Sequence, residues 1–279
     1  MPNHPDIIGM ENYKGKIIHS HLFRDPKDYE EFQNVVVFGF GPSGRDIALD
    51  LSRVCEKVTI AHHGKRTDSE LPENCFESYG ISHITENGDF ITTSNVVMTG
   101  VDLLVVCTGY LYDFPFLDDG VDLKMGVKRR TMHNLYKHIF YIDKPSLSFT
   151  GIPTKTIPFP VMHQQAGLIA AVLGGLTSLP SIEEMRADTF TEIEQRLAIP
   201  EPAHHFHFFR NRQFDYADML ASLSGLPKNP KLFEKLYKYT GIFRSSNILL
   251  YKKMEFKKIN DEEFEIVKSI DECRDETGI

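Results

Sequence analysis

The chain has 279 residues, of which 41% are hydrophobic and 25% are charged, a composition typical of an ordinary folded protein with a buried core. Its 39 acidic residues outnumber its 31 basic ones and give a formal net charge of -8. This balance excludes the basic surface of a nucleic-acid-binding protein.

The cysteines and the apolar segments bear on the compartment. The four cysteines are far apart and form no CxxC pair, which favours a reducing, cytoplasmic setting over a disulfide framework. The amino-terminal residues lack the charged and apolar regions of a signal peptide. The longest apolar stretch, residues 167–176, has about half of the roughly 20 residues that a membrane span requires, so it predicts a buried helix. Association with a membrane surface is left open.

In chain order, the first predicted elements form a βαβ unit. Residues 1–30 are irregular and rich in Pro, Asp and His. Residues 35–38 are an apolar, β-branched run typical of a buried parallel strand, and a glycine-rich turn follows. Residues 42–53 place apolar side chains at helical spacing, and residues 57–61 predict a second strand. This order of strand, helix and strand is typical of a dinucleotide-binding fold.

The later part of the chain changes from strands to helices. The alternation over residues 80–99, around Asn87-Gly88, predicts a small β meander, and residues 101–107 and 147–151 predict two further strands. Helices are predicted over residues 163–176, 182–197, 215–223 and 230–239. The charged tail, residues 252–279, has weak periodicity and predicts a partly mobile segment.

The segment Gly39-Phe40-Gly41-Pro42-Ser43-Gly44 is a GxGxxG pattern that follows a predicted strand and opens a predicted helix. In such a loop Gly39 allows a tight turn, Gly41 lets the backbone approach a pyrophosphate, and Gly44 lets the helix pack against the strand. The alternative is a glycine turn that binds no ligand. Because strand, turn and helix are in register, we favour a nucleotide site, and the predicted fold class is α/β with a Rossmann-like parallel sheet.

The residues after the second strand bear on which dinucleotide binds. Sites that prefer NAD usually carry Asp or Glu there, to bind the ribose 2′-hydroxyl. This chain instead has a cluster of potential cations: His62, His63, Lys65 and Arg66. Arg66 or Lys65 is the natural contact for a 2′-phosphate, so the predicted cofactor is NADP. The alternative is that Lys65 and Arg66 belong to a solvated loop.

Several histidines lie close together in the sequence and raise the question of a metal site. They are His19 with His21, His62 with His63, and His204 with His205 and His207. No group has the ligand set and the spacing of a zinc site. We interpret them as loop or core histidines and predict no metal ion.

Three motifs follow one another along the first part of the chain. Residues 13–23 read YKGKIIHSHLF. Residues 43–48 read SGRDIA and overlap the end of the glycine loop, and residues 107–110 read CTGY. In this order they resemble the F-x-G-x-x-x-H-x-x-x-[YF] fingerprint, the S-G-x-D-I-A segment and the A-T-G-Y motif of the flavin-containing monooxygenases. A looser similarity to that family continues at residues 136–138 and 149–151.

The resemblance implies an enzyme of the NADPH-dependent FAD monooxygenase type. In that family NADPH reduces FAD, and O2 then forms a flavin C4a-hydroperoxide that oxygenates a small amine or sulfide substrate. In the related Baeyer–Villiger enzymes the first fingerprint typically ends in Trp, whereas this chain has Phe23 there and no Trp. The resemblance therefore favours oxygenation of nitrogen or sulfur over oxidation of ketones.

The resemblance also implies roles for individual residues. Contacts to the phosphates and ribose of NADP fall on Ser43, Gly44, Arg45 and Asp46. The link between the NADP and FAD domains falls on His19 and on Thr108, Gly109 and Tyr110. No catalytic acid or base is predicted.

The resemblance further implies a division into domains. Residues 1–30 would be a connecting segment from the FAD domain, residues 31–110 the NADP-binding domain with its β excursion, and residues 111–279 the helix-rich carboxyl-terminal part of the FAD domain. Members of the family begin with a separate GxGxxG loop for the FAD pyrophosphate, and the sequence offers no second loop of this kind. We therefore expect the amino-terminal FAD-binding half-domain to be absent.

Two alternatives to an active monooxygenase stay open. One is a catalytically inactive fragment of the same family that binds NADP. The other is a disulfide reductase of similar architecture, which the lack of a CxxC pair disfavours. A homo-oligomer is also left open.

Overall fold

The computed structural model describes residues 1–117 and 120–277, and its largest sheet has five parallel strands. The strands are β1 (Lys16–His19), β2 (Asn34–Phe38), β3 (Lys57–His62), β4 (Cys75–Tyr79), β5 (Ile81–Ile84), β6 (Phe90–Thr92), β7 (Val97–Met98), β8 (Leu103–Val106), β9 (Leu135–Tyr136), β10 (Phe140–Tyr141), β11 (Glu255–Lys258) and β12 (Phe264–Lys268). The α-helices are α1 (Pro42–Leu51), α2 (Pro158–Leu173), α3 (Ile182–Leu197), α4 (Arg212–Ser224), α5 (Lys231–Ser246) and α6 (Ile270–Thr277). Short 3-10 turns lie at Met10–Asn12, Pro26–Tyr29, Val127–Arg129, Ala203–His205 and Tyr251–Lys253.

The five-stranded sheet has the order β1-β8-β2-β3-β4 and is covered on both faces. On one face, Ile47 and Leu51 of α1 pack with Val35 and Val37 of β2. On the other face, Val36 packs with residues of the small sheet, including the fully buried Phe90. Two covered faces explain why β2 is apolar at successive positions rather than alternately. The α/β class and the predicted βαβ unit are confirmed.

The small sheet has the order β5-β6-β7 and is antiparallel throughout. Its buried residues Ile81, Ile84 and Phe90 face the five-stranded sheet within one apolar cluster. Tyr13 meets the edge of the Phe90 ring at a centroid distance of 4.9 Å. The predicted β meander over residues 80–99 is confirmed.

The chain groups into two compact units. The first comprises residues 1–110 and 239–257 with the segment from residue 265 onward, and the second comprises residues 111–238 and 258–264. The second unit contains α2, α3 and α4 and the hairpin of β9 and β10, around a core that includes Met185 and Leu220. Helix α3 begins with a reciprocal capping box, in which Ser181 and Glu184 each accept a hydrogen bond from the other's backbone N–H.

Two predictions about strands were wrong. Residues 1–30 are not irregular throughout, because Lys16–His19 forms β1 and pairs with β8. The sequence does not indicate this strand, because it has only two apolar residues. It lies at the edge of the sheet, where strands are short. Residues 147–151 do not form a strand. They meet the β9–β10 hairpin through a single bridge, Phe140 to Ser148, and a few backbone hydrogen bonds.

The four predicted helices are confirmed, with differences at their ends. Helix α2 begins at Pro158, earlier than predicted, because prolines are tolerated in the first turn, where the N–H has no partner within the helix. Helix α5 continues to Ser246, beyond the predicted end. The tail, whose periodicity is weak, contains β11, β12 and α6. Residues 278–279 of that tail lie outside the described residues.

The predicted buried helix over residues 167–176 ends at Leu173, and only one face of that part of α2 is buried. Leu168 and Ala171 are buried, whereas Leu173 is 78% and Leu176 is 83% exposed. No helix within residues 1–117 and 120–277 is long and apolar enough to cross a membrane.

Candidate dinucleotide site

The predicted site residues come together at one edge of the five-stranded sheet. His19, Gly39, His62 and Thr108 follow or end β1, β2, β3 and β8, and parallel strands end at the same sheet edge. From β2 the chain adds β3 and then β4 on one side of β2, and later places β8 on its other side. The strand order therefore reverses between β2 and β8. In open α/β sheets a ligand crevice lies at such a reversal.

The turn after β2 requires glycine at two positions, because a side chain there would overlap backbone atoms of the same chain. Gly39 has φ of 112°, and a Cβ there would lie 2.5 Å from the carbonyl oxygen of Cys107. A Cβ on Gly44 would lie 1.9 Å from the carbonyl oxygen of Gly39. Both glycines therefore allow α1 and the turn to pack closely against the sheet, as predicted from the sequence.

Gly41 differs from the other two glycines of the motif. Its φ of -74° suits any residue, and a Cβ there would have no neighbour within 4 Å. Nothing within the described chain therefore demands glycine at this position. The open space beside Gly41 fits the close approach of a pyrophosphate, which is the role expected of it.

Helix α1 presents its amino terminus to the same space. Gly41 is its N-cap, so no side chain caps the first turn, and the first helical hydrogen bond runs from the Arg45 N–H to the Gly41 oxygen. The N–H groups of Ser43 and Gly44 come before that bond and have no partner within the helix. Ser43 is exposed. Free N–H groups together with the positive end of the helix dipole suit an anion.

Arg45 and Asp46 contact a distant part of the chain in the first unit. The Arg45 guanidinium donates to the carbonyl oxygen of Arg244 at 3.3 Å. Asp46 forms an ion pair with Lys252, with 2.7 Å between Oδ1 and Nζ. No pattern in the sequence connects Arg244 or Lys252 with the glycine turn, because the contacts depend on how the chain returns after α5.

His62 is occupied by structural contacts. It is buried, its Nδ1 accepts a hydrogen bond from the Gly64 N–H at 3.0 Å, and its Nε2 donates to Glu77 at 2.6 Å. Its ring also stacks on Phe40 of the glycine turn at 5.0 Å. Both ring nitrogens are therefore committed, and His62 holds the loop after β3 against the turn.

Glu77 is a neighbour of the candidate site that the sequence does not mark. Residues 63–66, directly after β3, contain no carboxylate, but β4 places the Glu77 carboxylate beside β3. Besides His62, this carboxylate accepts the Thr67 N–H at 3.0 and 3.1 Å. Its oxygens are thus engaged by the loop. Only the register of β3 against β4 reveals this, and that register could not be read from the sequence.

The other predicted residues of this loop are exposed. Lys65 pairs with Asp68 at 3.3 Å, a contact between side chains that are 86% and 80% exposed, which screening by water makes weak. The Arg66 guanidinium lies over the Tyr79 ring at 4.9 Å. Arg66 is exposed, so a phosphate can approach its guanidinium from solvent. His63 is exposed and lies against Phe38.

The ends of β1 and β8 are tied together by hydrogen bonds. His19 Nδ1 accepts the His21 N–H, and its Nε2 donates to the carbonyl oxygen of Gly109 at 3.1 Å. Burial lowers the pKa of His19, in keeping with this neutral form. Thr108 Oγ1 donates to the carbonyl oxygen of Asn3 at 2.5 Å, and Tyr110 stands edge-on to His19. The structure therefore brings the first and third sequence motifs together, and adds Asn3, which the sequence did not mark.

Comparison with protein families gives a match over most of the chain. Residues 2–69 and 74–239 match the model described as flavin-binding monooxygenase-like. The flavin-containing monooxygenase FMO GS-OX4 of Arabidopsis thaliana is 33% identical over 231 residues, which cover 81% of this chain and 50% of that protein. FMO GS-OX-like 7 of the same plant is 34% identical over 242 residues, which cover 85% and 51%. The chain spans about half the length of the curated relatives it matches.

The chain is also similar to solved structures. The S-allyl-L-cysteine S-oxygenase of Allium sativum superposes with a TM-score of 0.82 at 31% identity, over 99% of this chain and 60% of that one. Tmm of Pelagibacter sp. strain HTCC7211 superposes with a TM-score of 0.77 at 27% identity, over 92% of this chain and 57% of that one. The similarity thus extends from the sequence to the arrangement of the elements.

Proposed function

The chain belongs to the flavin-binding monooxygenase-like family, and we propose on that premise that it binds NADPH at the turn after β2, as part of an FAD-dependent monooxygenase. The observation that carries the proposal is the glycine turn. Gly39 and Gly44 are fixed by packing, and Gly41 opens onto free space beside the uncapped start of α1. This is the arrangement that accepts a pyrophosphate.

Different residues of the chain bind different parts of the dinucleotide. The N–H groups of Ser43 and Gly44 bind the pyrophosphate, and Arg45 and Asp46 lie one turn further along α1. Arg66, which lies over the Tyr79 ring, binds the 2′-phosphate. His62 and Glu77 position the loop that carries Arg66. Because the Glu77 carboxylate is already engaged by the Thr67 N–H and His62, it does not take the ribose hydroxyls, and NADP is preferred over NAD.

The substrate proposed is a small sulfide, with amines as the second class. The support comes from the relatives, since one of the superposed structures is an S-oxygenase acting on S-allyl-L-cysteine. When bound, FAD supplies the activation of O2, and the protein positions the reactants and excludes water. The contacts between His19 and Gly109 hold the ends of β1 and β8 in register where the two cofactors are expected to meet.

The test of the nucleotide site is a titration of the chain with NADPH and with NADH. We expect NADPH to bind at least about tenfold more tightly, because the 2′-phosphate adds a charge-assisted contact. Arg66→Ala should remove most of that preference. Arg53→Ala is the matched control, since Arg53 is exposed at the other end of α1 and should leave binding unchanged. Equal affinity for both nucleotides would contradict the proposal.

A second candidate function is NADP binding without turnover. The observation in its favour is that, within residues 1–117 and 120–277, α1 is the one helix that follows a strand through a glycine turn. Visible absorbance of the purified chain after incubation with FAD separates the two candidates. Stoichiometric flavin together with sulfide-dependent NADPH oxidation would support the monooxygenase. NADPH binding with no retained flavin would support the second candidate.

A further inference from the structure

The segment after residue 239, where the family match ends, contacts Arg45 and Asp46 of α1, just after the glycine turn. Residues 240–257 form what we call the C-terminal arm, which includes the end of α5 and the turn Tyr251–Lys253. We propose that the C-terminal arm is part of the dinucleotide site, where it orients Arg45, neutralises Asp46 and docks more firmly when NADPH binds. The inference rests on the proposed function, because it concerns the same site.

The C-terminal arm is anchored beside the loop that follows β3. The Ile248 N–H donates to Ser69 Oγ at 2.7 Å, and both residues are buried. Leu250 and Met254 of the arm pack with Cys273 in a small apolar core. If the arm moved away, the buried donor and acceptor would each lose their partner. The hydrogen bond between Ile248 and Ser69 therefore favours a single position of the arm. The arm therefore stands next to both segments proposed to hold NADPH.

The contact to Arg45 restricts a flexible side chain. The guanidinium has five N–H donors, and the bond to the Arg244 carbonyl uses Nη1. A long side chain that is free in solution loses rotamer entropy when it binds a ligand. Because the arm already holds one nitrogen, Arg45 is oriented before the nucleotide arrives, and its other donors stay available.

The contact to Asp46 changes the charge beside the turn. Asp46 lies about 6 Å along the axis of α1 from Pro42, given a rise of about 1.5 Å per residue. An uncompensated carboxylate at this distance would repel the pyrophosphate. Lys252 Nζ lies 2.7 Å from Asp46 Oδ1 and compensates that charge. The two side chains are 56% and 43% exposed, so the pair adds little to folding while still shaping the local potential.

Coupling of this kind acts in both directions. If docking of the C-terminal arm favours NADPH, then NADPH favours docking by the same factor. The arm thus carries a readout that does not depend on enzyme turnover. The Ile248 amide, which donates to Ser69, exchanges its hydrogen only when the arm is released.

The first experiment measures the NADPH dissociation constant of Lys252→Gln. We expect binding about three- to fivefold weaker at low ionic strength, with the difference shrinking at high salt because the groups are exposed. Lys253→Gln is the matched control, since it removes the same charge from the same turn without touching Asp46, and Lys252→Arg should restore affinity. In an Asp46→Asn background, Lys252→Gln should have no further effect. A merely structural role of Lys252 would not depend on Asp46.

The second experiment measures hydrogen exchange at the Ile248 amide with and without NADPH. We expect NADPH to slow exchange in the wild-type chain, and to slow it less in Lys252→Gln. Faster exchange with NADPH would show that the arm competes with the nucleotide and would overturn the inference. So would equal affinities of Lys252→Gln and Lys253→Gln. Failure of the proposed function looks different, since the wild-type chain would then not prefer NADPH over NADH.

Discussion

The three glycines of the turn after β2 meet different surroundings. A side chain at Gly39 or Gly44 would overlap backbone atoms, whereas one at Gly41 would meet open space. The packing requirement therefore falls on Gly39 and Gly44, and the binding requirement that we propose falls on Gly41. Point substitutions can separate them.

We predict opposite effects for Gly44→Ala and Gly41→Ala. Gly44→Ala should destabilise the fold by about 3 kcal/mol or more, because its Cβ would overlap the Gly39 carbonyl. Gly41→Ala should change stability by less than about 1 kcal/mol, since the backbone suits alanine, yet weaken NADPH binding about tenfold. Chemical denaturation and NADPH titration measure the two effects. Wild-type NADPH affinity in Gly41→Ala would contradict the assignment.

At the scale of elements, local patterns were predicted well and distant pairings were not. The βαβ unit and α3 were found because their periodicity and caps lie within a few neighbouring residues. Strand β1 was missed because an edge strand with two apolar residues is stabilised by its pairing with β8. The same distinction holds in the site. The sequence marks the residues that follow strands, whereas Asn3, Glu77 and Lys252 join the candidate site through contacts between segments far apart in sequence.

Three elements of the second unit meet at a buried chain of hydrogen bonds. The Met132 N–H donates to His207 Nε2, so the proton of His207 lies on Nδ1 and is donated to His138 Nδ1 at 2.9 Å. His138 must then donate from Nε2 to Glu192 of α3, also at 2.9 Å. Both histidines are neutral in this arrangement. An additional proton on either would break one of the bonds.

We predict that stability falls as the pH falls below about 6.5, the ordinary pKa of histidine. Burial, followed by the neighbouring histidines, holds the pKa of His207 well below that value. Burial alone would raise the pKa of Glu192, but the His138 hydrogen bond and nearby cations lower it. Both folded-state pKa values therefore lie below the unfolded ones. The unfolded chain therefore binds protons first on acidification: stability is lost through His207 as the pH falls below about 6.5, and through Glu192 only below about 4.5.

The measurement is the free energy of unfolding between neutral pH and about pH 5, where the loss should reach about 2 kcal/mol if only the unfolded chain is protonated at His207. His207→Gln should flatten this dependence, although it lowers stability at neutral pH. His163→Gln is the control, since His163 is exposed on α2 and should leave the slope as in the wild type. An unchanged slope in His207→Gln would show that other groups carry the pH dependence.

At the scale of the whole molecule, α2 has an apolar outer face. Phe159, Met162, Ala166, Ala170 and Leu173 recur at helical spacing and are all exposed. Phe159 is 80% and Leu173 is 78% exposed, so these side chains contribute little to the core. An apolar face of this extent favours association.

We predict that the chain self-associates through this face. The double substitution Phe159→Gln with Leu173→Gln should lower the association constant in sedimentation equilibrium by about tenfold or more, and leave the melting temperature nearly unchanged. Val97→Gln removes an exposed apolar side chain from the first unit and serves as control. Equal association of the double variant and the wild type would place the contact elsewhere.

Strand β1, at the sheet edge, pairs late during synthesis. Strand β1 is synthesised before β2, but its neighbour in the sheet is β8, and β8 lies between β1 and β2. The polypeptide must therefore carry an unpaired edge segment until residues 103–106 have left the ribosome, because parallel pairing requires the intervening crossover to be complete. The two motifs joined by His19 and Gly109 thus meet only after β2, α1 and β3 have been synthesised, so the glycine turn can fold before His19 reaches Gly109.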